Sequence, residues 1–234
     1  MMVTQKSYAR ALQLEAPGKL RVLEQFSGRG AQADLLGAAA LDLDEDPEKE
    51  VLLFDKGDSS IGILDRTPQG TYGLVRSIQL PGIEFGGFRI ADLDGDGRED
   101  VAVLGKQAIA ILSSKGGGGD LEEIARFDRQ EEPSGQERIL AEGICMGDLN
   151  ADGRMDLVVS TGPHNLLEFL TPEPGKTGGP LRSQLSFPVF EERSFHREMP
   201  VPGPREILAS DIDGDGKTDL VLLIHNRILF YPQD

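Results

Sequence analysis

The sequence contains no tryptophan, a single cysteine and no long apolar run. Only 6% of its 234 residues are aromatic, and the lone Cys145 excludes an intramolecular disulfide. No segment reaches the ~18 consecutive apolar residues of a membrane-spanning helix, so we expect no membrane span. The first residues, Met1 to Leu14, lack the apolar centre of a secretory signal peptide, and we expect none there.

Positive charge is also scarce, which disfavours two classes of partner. The chain has 24 basic residues against 40 acidic ones, and its formal net charge is -16. Nucleic-acid binding needs a positive surface, so we expect no nucleic-acid partner. Adhesion to an anionic membrane is disfavoured for the same reason. The positions of the acidic residues then decide between a merely solvated surface and cation binding.

Acidic loops recur along the chain at a spacing typical of propeller blades. Three nine-residue loops follow the pattern Asp-x-Asp/Asn-x-Asp-Gly-x-x-Asp, and a weaker copy precedes them. Their first residues are 50, 56 and 63 residues apart, which suits a four-stranded unit with its loops and is too long for a β-helix coil. We number the loops in chain order: loop 1 is 42–50, loop 2 is 92–100, loop 3 is 148–156 and loop 4 is 211–219.

Short apolar runs flank every loop and predict strands. They are rich in β-branched residues and bounded by glycine, which indicates strands. Small residues (Ala91, Gly147 and Ser210) stand directly before loops 2, 3 and 4. Crowding of the inner strands near a propeller axis would require small side chains there. The sequence therefore predicts an all-β fold: a β-propeller of about four blades, either complete or part of a larger ring, with the acidic loops between strands.

The repeat also predicts a domain organisation. We expect one propeller domain over residues 1–234, with repeats at about 37–86, 87–142, 143–206 and 207–234. Only two strands follow loop 4, so the N-terminal strand 19–26 is expected to complete the last blade. That pairing would close the ring without exposed strand edges.

The loop pattern suits a hard divalent cation. A tight turn brings the side chains at loop positions one, three and five to one inner side, and a glycine at position six makes the turn sharp at little cost. A backbone carbonyl at position seven and a carboxylate at position nine complete the set of oxygens that Ca²⁺ prefers. Three or four carboxylates this close repel one another unless a cation is present.

Acidic loops of this kind have three other interpretations. An EF-hand needs flanking helices and a glutamate at position twelve, where this chain has Val103, Val159 and Leu222. Mg²⁺ prefers to keep several waters and to have fewer protein ligands. Turns rich in aspartate and asparagine can also form without any metal.

Loop 1 departs from the pattern. Pro47 replaces the glycine at position six, and Glu50 replaces the last aspartate. Because proline holds φ near −65°, this turn must differ from the others. The sequence leaves open whether loop 1 binds a metal ion. Its weaker candidate ligands are Asp42, Asp44, Asp46, Glu48 and Glu50.

These loops resemble the FG-GAP repeats of integrin α-subunit propellers and the similar VCBS-type repeats of bacterial surface proteins. The resemblance covers about residues 37–234, and Phe85-Gly86-Gly87 is similar to the Phe-Gly element of the family. It implies a propeller with three Ca²⁺ sites, a doubtful fourth, and an extracellular or cell-surface location. The implied ligands are Asp92, Asp94, Asp96, Arg98 (carbonyl), Asp100, Asp148, Asn150, Asp152, Arg154 (carbonyl), Asp156, Asp211, Asp213, Asp215, Lys217 (carbonyl) and Asp219.

The leading functional hypothesis is a calcium-stabilised binding or scaffold module. Its partner would be a protein or a carbohydrate, met by loops on one face, and self-association is expected if the ring is incomplete. The candidate contact loops are 113–120, 130–138, 163–179 and 194–205.

Two alternatives remain open at the level of sequence. One is a polysaccharide lyase or hydrolase on a propeller scaffold, although His164, His196 and His225 stand beside no nucleophile–base motif. Cys145 lies in an apolar run and is expected to be a buried strand residue rather than a nucleophile. The other alternative is a purely structural repeat without a ligand.

Overall fold

The fold is described from a computed structural model. The description covers residues 1–30, 32–105, 108–114, 118–128, 140–152, 155–161, 166–172, 181–189, 206–224 and 227–233. The chain divides into two compact units, residues 1–88 with 113–122, and residues 89–112 with 123–234. Each unit is described by itself.

The described ranges contain eighteen strands in five antiparallel sheets, and no helix. Sheet 1 consists of β1 (Met2–Gln5), β2 (Tyr8–Ala16) and β3 (Lys19–Ser27). Sheet 2 consists of β4 (Leu35–Leu41), β5 (Glu50–Asp55), β6 (Ser60–Arg66) and β7 (Tyr72–Gln79). Sheet 3 consists of β8 (Phe85–Ala91), β9 (Asp100–Gly105), β10 (Ala108–Ser114) and β11 (Leu121–Asp128). Sheet 4 consists of β12 (Leu140–Gly147), β13 (Asp156–Thr161), β14 (Leu166–Pro172) and β15 (Leu181–Pro188), and sheet 5 of β16 (Glu206–Ser210), β17 (Asp219–Ile224) and β18 (Arg227–Tyr231).

Each sheet is a meander in which consecutive strands are neighbours. In sheets 2 to 5, the acidic loop connects the first strand to the second, and position nine of the loop is the first residue of that second strand. The all-β prediction and the predicted position of the loops between strands are therefore confirmed. The flanking elements also exclude the EF-hand arrangement, which needs helices.

The cores form between the faces of successive sheets. One cluster joins side chains of sheet 3, such as Leu93 and Ile111, to side chains of sheet 4, such as Leu157 and Val159. The next joins the opposite face of sheet 4 to sheet 5, and Val158 of β13 is fully buried there. Because side chains alternate along a strand, adjacent residues of β13 face different sheets. This explains why the second strands read as continuous apolar runs.

Sheet 1 packs on sheet 2 in the same manner. Ala9 of β2 and Phe26 of β3 form one core cluster with Val51 and Leu53 of β5. The Phe26 ring meets the Tyr72 ring edge-on, with 5.4 Å between their centroids. Residues 2–27 therefore form a sheet of their own that buries an apolar face against its successor.

The predicted strand 19–26 is present as β3 of this sheet, while its role in completing the last blade stays a prediction. It pairs with β2, and in the described part of the chain the sheet of β16, β17 and β18 has three strands. The physical reason is local: Gly18 adopts a φ of 77°, so the chain reverses tightly and β3 folds back on β2 as a hairpin. Sheet 1 adds a fifth sheet to the four that the loops mark. The single domain and its repeat bounds stay predictions.

The small residues before the loops relieve crowding between first strands. A Cβ atom added to Gly147, at the end of β12, would lie 2.8 Å from Cβ of Ala209 in β16 and 2.8 Å from Cγ2 of Thr218. Real Cβ contacts are almost never that short, so the two strands approach this closely only because residue 147 has no side chain.

We predict that Gly147→Ala destabilises the protein by about 1–3 kcal/mol, because the added methyl group overpacks the contact between β12 and β16. The measurement is urea unfolding followed by circular dichroism. Gly118→Ala is the matched control, since a Cβ there meets no atom within 4 Å. Equal stability of the two variants would contradict the crowding.

Candidate metal sites

The four loops share one backbone turn. Position four has positive φ in all of them: 65° at Glu45, 81° at Gly95, 58° at Ala151 and 83° at Gly214. Position six has positive φ at Gly97 and Gly216, as predicted, whereas Gly153 lies outside the described residues. The requirement at position four was missed, although the glycines of loops 2 and 4 signal it.

Hydrogen bonds from the backbone hold the side chains of position one inward. In loop 2 the N–H groups of Gly95 and Gly97 donate to the two oxygens of Asp92 at 2.8 and 2.9 Å. In loop 4 the N–H groups of Gly214 and Gly216 donate to Asp211 at 2.7 and 3.0 Å. The first carboxylate is thereby oriented before any ion arrives.

The carboxylate at position nine is buried in every loop. The exposed fractions are 1% for Glu50, 0% for Asp100, 3% for Asp156 and 1% for Asp219. Each accepts the backbone N–H of loop position two, at 2.7 Å from Leu43, 2.7 Å from Leu93, 3.1 Å from Leu149 and 2.8 Å from Ile212. This bond ties the start of each loop to the first residue of the second strand.

Carboxylate oxygens converge in three loops. One oxygen from each of three residues lies within 4.8 Å of the others in the following groups: Asp42, Asp44 and Glu50 in loop 1; Asp92, Asp94 and Asp96 in loop 2; Asp211, Asp213 and Asp219 in loop 4. The structure thus brings together six residues of the main predicted set and three of the weaker set. A site of three such oxygens suits a hard cation.

Loop 3 shows no group of three acids among its described residues. Asn150 occupies the third position, and its Nδ2 donates to Asp156 Oδ1 at 3.4 Å. The N–H of Asp152 donates to Asp148 Oδ1 at 3.1 Å and to Asn150 Oδ1 at 2.9 Å. Arg154, the predicted carbonyl ligand, lies outside the described residues.

Basic side chains at position seven compensate the carboxylate at position five. Arg98 donates to Asp96 Oδ2 from Nε at 3.0 Å and from Nη2 at 2.6 Å, and this bond holds the pKa of Asp96 below its ordinary value. Lys217 Nζ lies 3.9 Å from Asp215 Oδ2. From the sequence, only the carbonyls of Arg98 and Lys217 are expected as ligands, and those assignments stay predictions.

Two carboxylates in loops 1 and 2, those of Glu50 and Asp94, have pKa values above the ordinary value. Burial first, and then the neighbouring carboxylates of Asp96 and Asp92, raise the pKa of Asp94 above its ordinary value. Burial likewise raises the pKa of Glu50, to which Asp44 adds. By contrast, the hydrogen bond from Ile212 lowers the pKa of Asp219, assisted by that from Gln233. Loops 1 and 2 therefore hold carboxylates, Glu50 and Asp94, whose ionised form is disfavoured by burial and by neighbouring negative charge.

Loop 1, the weakest by sequence, forms a converging group despite Pro47. Because proline has no N–H, the donor that reaches the first carboxylate from position six in loops 2 and 4 is missing here. Glu50 Oε1 is buried and accepts no hydrogen bond from the described residues. Asp46 accepts the N–H of Glu48 at 2.7 Å, and Glu48 pairs with Arg66 at 2.9 Å.

The remaining candidate residues fall into two groups. Cys145 is buried in the core between sheets 4 and 5, as expected for a strand residue, and burial raises the pKa of its thiol to about 12. The other group lies outside the described residues: His164, His196, His225, the contact loops 130–138 and 194–205, residues 115–117 of the loop 113–120, and most of the loop 163–179. No catalytic role is assigned to either group.

Antiparallel sheets of three or four strands, four of them with an acidic loop between their first two strands, are typical of an all-β repeat protein of the β-propeller type. A family model described as an FG-GAP-like repeat matches residues 92–159, which contain loops 2 and 3. The resemblance to FG-GAP repeats is confirmed over this span. No curated protein sequence matches the chain.

A solved structure supports the fold. The chain is similar to a protein from Lactobacillus plantarum whose crystal structure was determined as a structural genomics target, with a TM-score of 0.61 and 15% sequence identity. The similarity covers 98% of this chain and 62% of that one, so the chain spans less than two thirds of the length of that protein. At this identity the likeness concerns the fold alone. Within the described residues, no helix has the length and apolar character to cross a membrane.

We predict that Asp219→Ala lowers stability by roughly 1–3 kcal/mol even in excess chelator, because the N–H groups of Ile212 and Gln233 lose their acceptor. Asp215→Ala removes a more exposed carboxylate of the same loop and serves as the control, with a smaller loss. Urea unfolding in chelator measures both. Equal losses would contradict the structural role of position nine.

We also predict that Cys145 is unreactive in the folded protein. With a pKa of about 12, only about one thiol in ten thousand is ionised at pH 8, whereas an unfolded cysteine has a pKa near 8.5. Thiol titration with a chromogenic disulfide should give one fast thiol in denaturant and a rate at least about a thousandfold lower in buffer. A fast native reaction would show that the thiol is accessible.

Proposed function

We propose that this chain is a calcium-binding module of the β-propeller type, in which the metal ions stabilise loops and the protein serves as a binding or scaffold unit. The observation that carries the proposal is the convergence of three carboxylates in each of loops 1, 2 and 4. The ions would tie the first strand of each sheet to the second, next to the buried carboxylate of position nine.

The chemistry of the donors favours calcium among the divalent ions. The three groups contain only carboxylates, without histidine or cysteine, which disfavours zinc and copper. Backbone N–H groups already orient the carboxylate at position one, as they do for Asp92. The oxygens therefore form a preorganised but irregular site. Such a site suits the flexible coordination of Ca²⁺ better than the strict octahedral coordination of Mg²⁺.

We include loop 1 among the proposed sites. The buried Glu50 Oε1 without a hydrogen-bond donor and the raised pKa of Glu50 indicate negative charge that a cation would balance. Loop 1 also lacks a basic residue at position seven, because Glu48 stands there and takes Arg66 as its partner. Loop 3, with its asparagine, supports a metal site least among the four.

The role of a binding or scaffold unit rests on the fold. Propeller sheets present their connecting loops at the rims, where partners are met by a rigid framework. The partner class proposed is a protein or a carbohydrate. A structural role for the metal agrees with the position of each acidic loop between the first two strands of a sheet. We propose no catalytic activity.

The experiment is a calorimetric calcium titration of chelator-treated protein, together with thermal unfolding. Calcium should bind at three or four sites and raise Tm; at a hundredfold excess over Kd, one site adds about 2.7 kcal/mol. Glu50→Gln should remove one site and leave the others. Glu122→Gln, in β11 outside the loops, is the control for the loss of one charge.

Two results would overturn the proposal. One is an identical Tm in calcium and in chelator. The other is a magnesium response as large as that to calcium at equal concentration, because the oxygen cage would then not select the larger ion.

A further inference from the structure

Loop 1 has an acidic neighbour outside its nine-residue pattern. Strand β5 pairs with β6 so that Val51 lies opposite Leu64. One step further along this register, Glu50 at position nine of the loop lies opposite Asp65. Residues in such positions share a face of the sheet and have Cβ atoms about 5 Å apart. The carboxylate of Asp65 therefore lies next to Glu50, one of the three residues that converge in loop 1.

The surroundings of Asp65 agree with this position. Burial raises the pKa of Glu50 first, and the negative charges of Asp44 and Asp65 raise it further. Asp65 is half-buried, and its Oδ1 accepts the backbone N–H of Arg66. Because neighbouring residues of a strand alternate between faces, the Arg66 side chain lies on the other face, where it pairs with Glu48 at 2.9 Å. Arg66 is thus engaged with Glu48 rather than with Asp65.

Sheets 4 and 5 have no acid at the position of Asp65. In sheet 4 the same step of the register brings Thr171 opposite Asp156. In sheet 5 it brings Pro232 opposite Asp219, and the N–H of the next residue, Gln233, donates to Asp219 at 3.1 Å. Threonine and proline carry no charge. Sheet 2 therefore differs from these two sheets in placing a second carboxylate across from the one at position nine.

This pair of carboxylates is costly without a cation. Glu50 is 1% exposed, and its Oε2 accepts the N–H of Leu43 at 2.7 Å. Its Oε1 is buried and accepts no hydrogen bond from the described residues. A buried oxygen without a donor costs free energy, and like charges directly opposite each other on two strands add to that cost. A cation between Glu50 and Asp65 would satisfy the oxygen and offset the repulsion.

We propose that Asp65 of β6 supplies a fourth carboxylate to the metal site of loop 1. The inference rests on the proposed function, because it adds a ligand to a site that is proposed there. In loop 1, Pro47 lacks the N–H that holds the first carboxylate in loops 2 and 4. The number of charged ligands sets the affinity of an oxygen site for Ca²⁺, so Asp65 compensates in charge for what loop 1 lacks in preorganisation.

Terbium luminescence can report binding at loop 1 alone. Tb³⁺ is a hard cation that takes oxygen ligands as Ca²⁺ does, and it emits when an aromatic ring close to it is excited. The Tyr72 hydroxyl donates to the carbonyl of Lys49 in loop 1 at 3.1 Å, so Tyr72 lies beside this site. The chain has no tryptophan, and Tyr231→Phe removes the tyrosine next to loop 4. In the Tyr231→Phe chain, emission that a further Tyr72→Phe change abolishes comes from loop 1.

The test is a Tb³⁺ titration of the Tyr231→Phe chain with and without Asp65→Asn, followed by competition with Ca²⁺. Asparagine keeps the size of the side chain and an oxygen for the N–H of Arg66, and it removes only the charge. Asp65→Asn should weaken the binding of both ions at loop 1 about tenfold or more. Asp58→Asn is the matched control, because it removes one charge at the other end of β6 and should change affinity less than about twofold.

Stability in chelator separates a metal ligand from an acid that only supports the fold. Without metal, Asp65→Asn removes the repulsion of Glu50, so Tm should stay the same or rise. At a fixed Ca²⁺ concentration, the same variant should gain less in Tm than the native chain, because its site binds more weakly. A purely structural role would lower Tm in chelator. In the Glu50→Gln background, Asp65→Asn should have no further effect on Ca²⁺ binding.

The outcomes distinguish this inference from the proposed function. A Tyr231→Phe chain without emission from loop 1, or with emission that Ca²⁺ does not displace, would overturn both for this loop. Binding at loop 1 that Asp65→Asn leaves unchanged would overturn the fourth ligand alone and leave the calcium module standing. Equal weakening by Asp65→Asn and Asp58→Asn would also overturn the fourth ligand, because the effect would then come from overall charge.

Discussion

The buried carboxylate at position nine is the constraint on which the repeated unit depends. It is the first residue of the second strand in sheets 2 to 5, and it accepts the N–H of loop position two. A carboxylate removed from water needs strong donors or a cation to offset its desolvation. The backbone supplies the donor, and the loop places further carboxylates beside it. The residue at position nine thus belongs both to the second strand of the sheet and to the acidic loop, so the strand pairing and the loop geometry depend on each other.

That arrangement explains why the loops differ in their prospects as metal sites. Where position seven is arginine, as in loop 2, the guanidinium takes up the carboxylate of position five. In loop 1, position seven is Glu48, and Arg66 of β6 pairs with Glu48 itself. Arg66 is thus engaged outside the group of converging carboxylates, Asp42, Asp44 and Glu50. Charge balance around three oxygens therefore depends on residues outside the repeat pattern.

Much of this could be predicted from the sequence because the signals are local. Strands, their order around each loop, the turn glycines at positions six and the small residue at Gly147 all follow from spacing and sterics. The pairing of β3 with β2 was not predicted, because the choice between a local hairpin and a distant edge depends on loop closure that composition does not reveal. The convergence of three carboxylates in loop 1 could not be predicted, because the sequence pattern tests for a glycine, whereas the structure reaches this convergence with Pro47 and positive φ at Glu45.

The sequence by itself determined the period of the repeat, the all-β class and the residues that can offer oxygen to a cation, since these depend on neighbours within one turn or one strand. Only the tertiary structure decided which carboxylates are buried, which are neutralised by Arg98 or Arg66, and which apolar faces are covered. The physical reason is that burial and charge pairing depend on contacts between residues far apart in the chain. Ile212 and Leu93 stand at the same loop position, yet Ile212 is exposed, whereas Leu93 is buried in the core cluster that sheets 3 and 4 form.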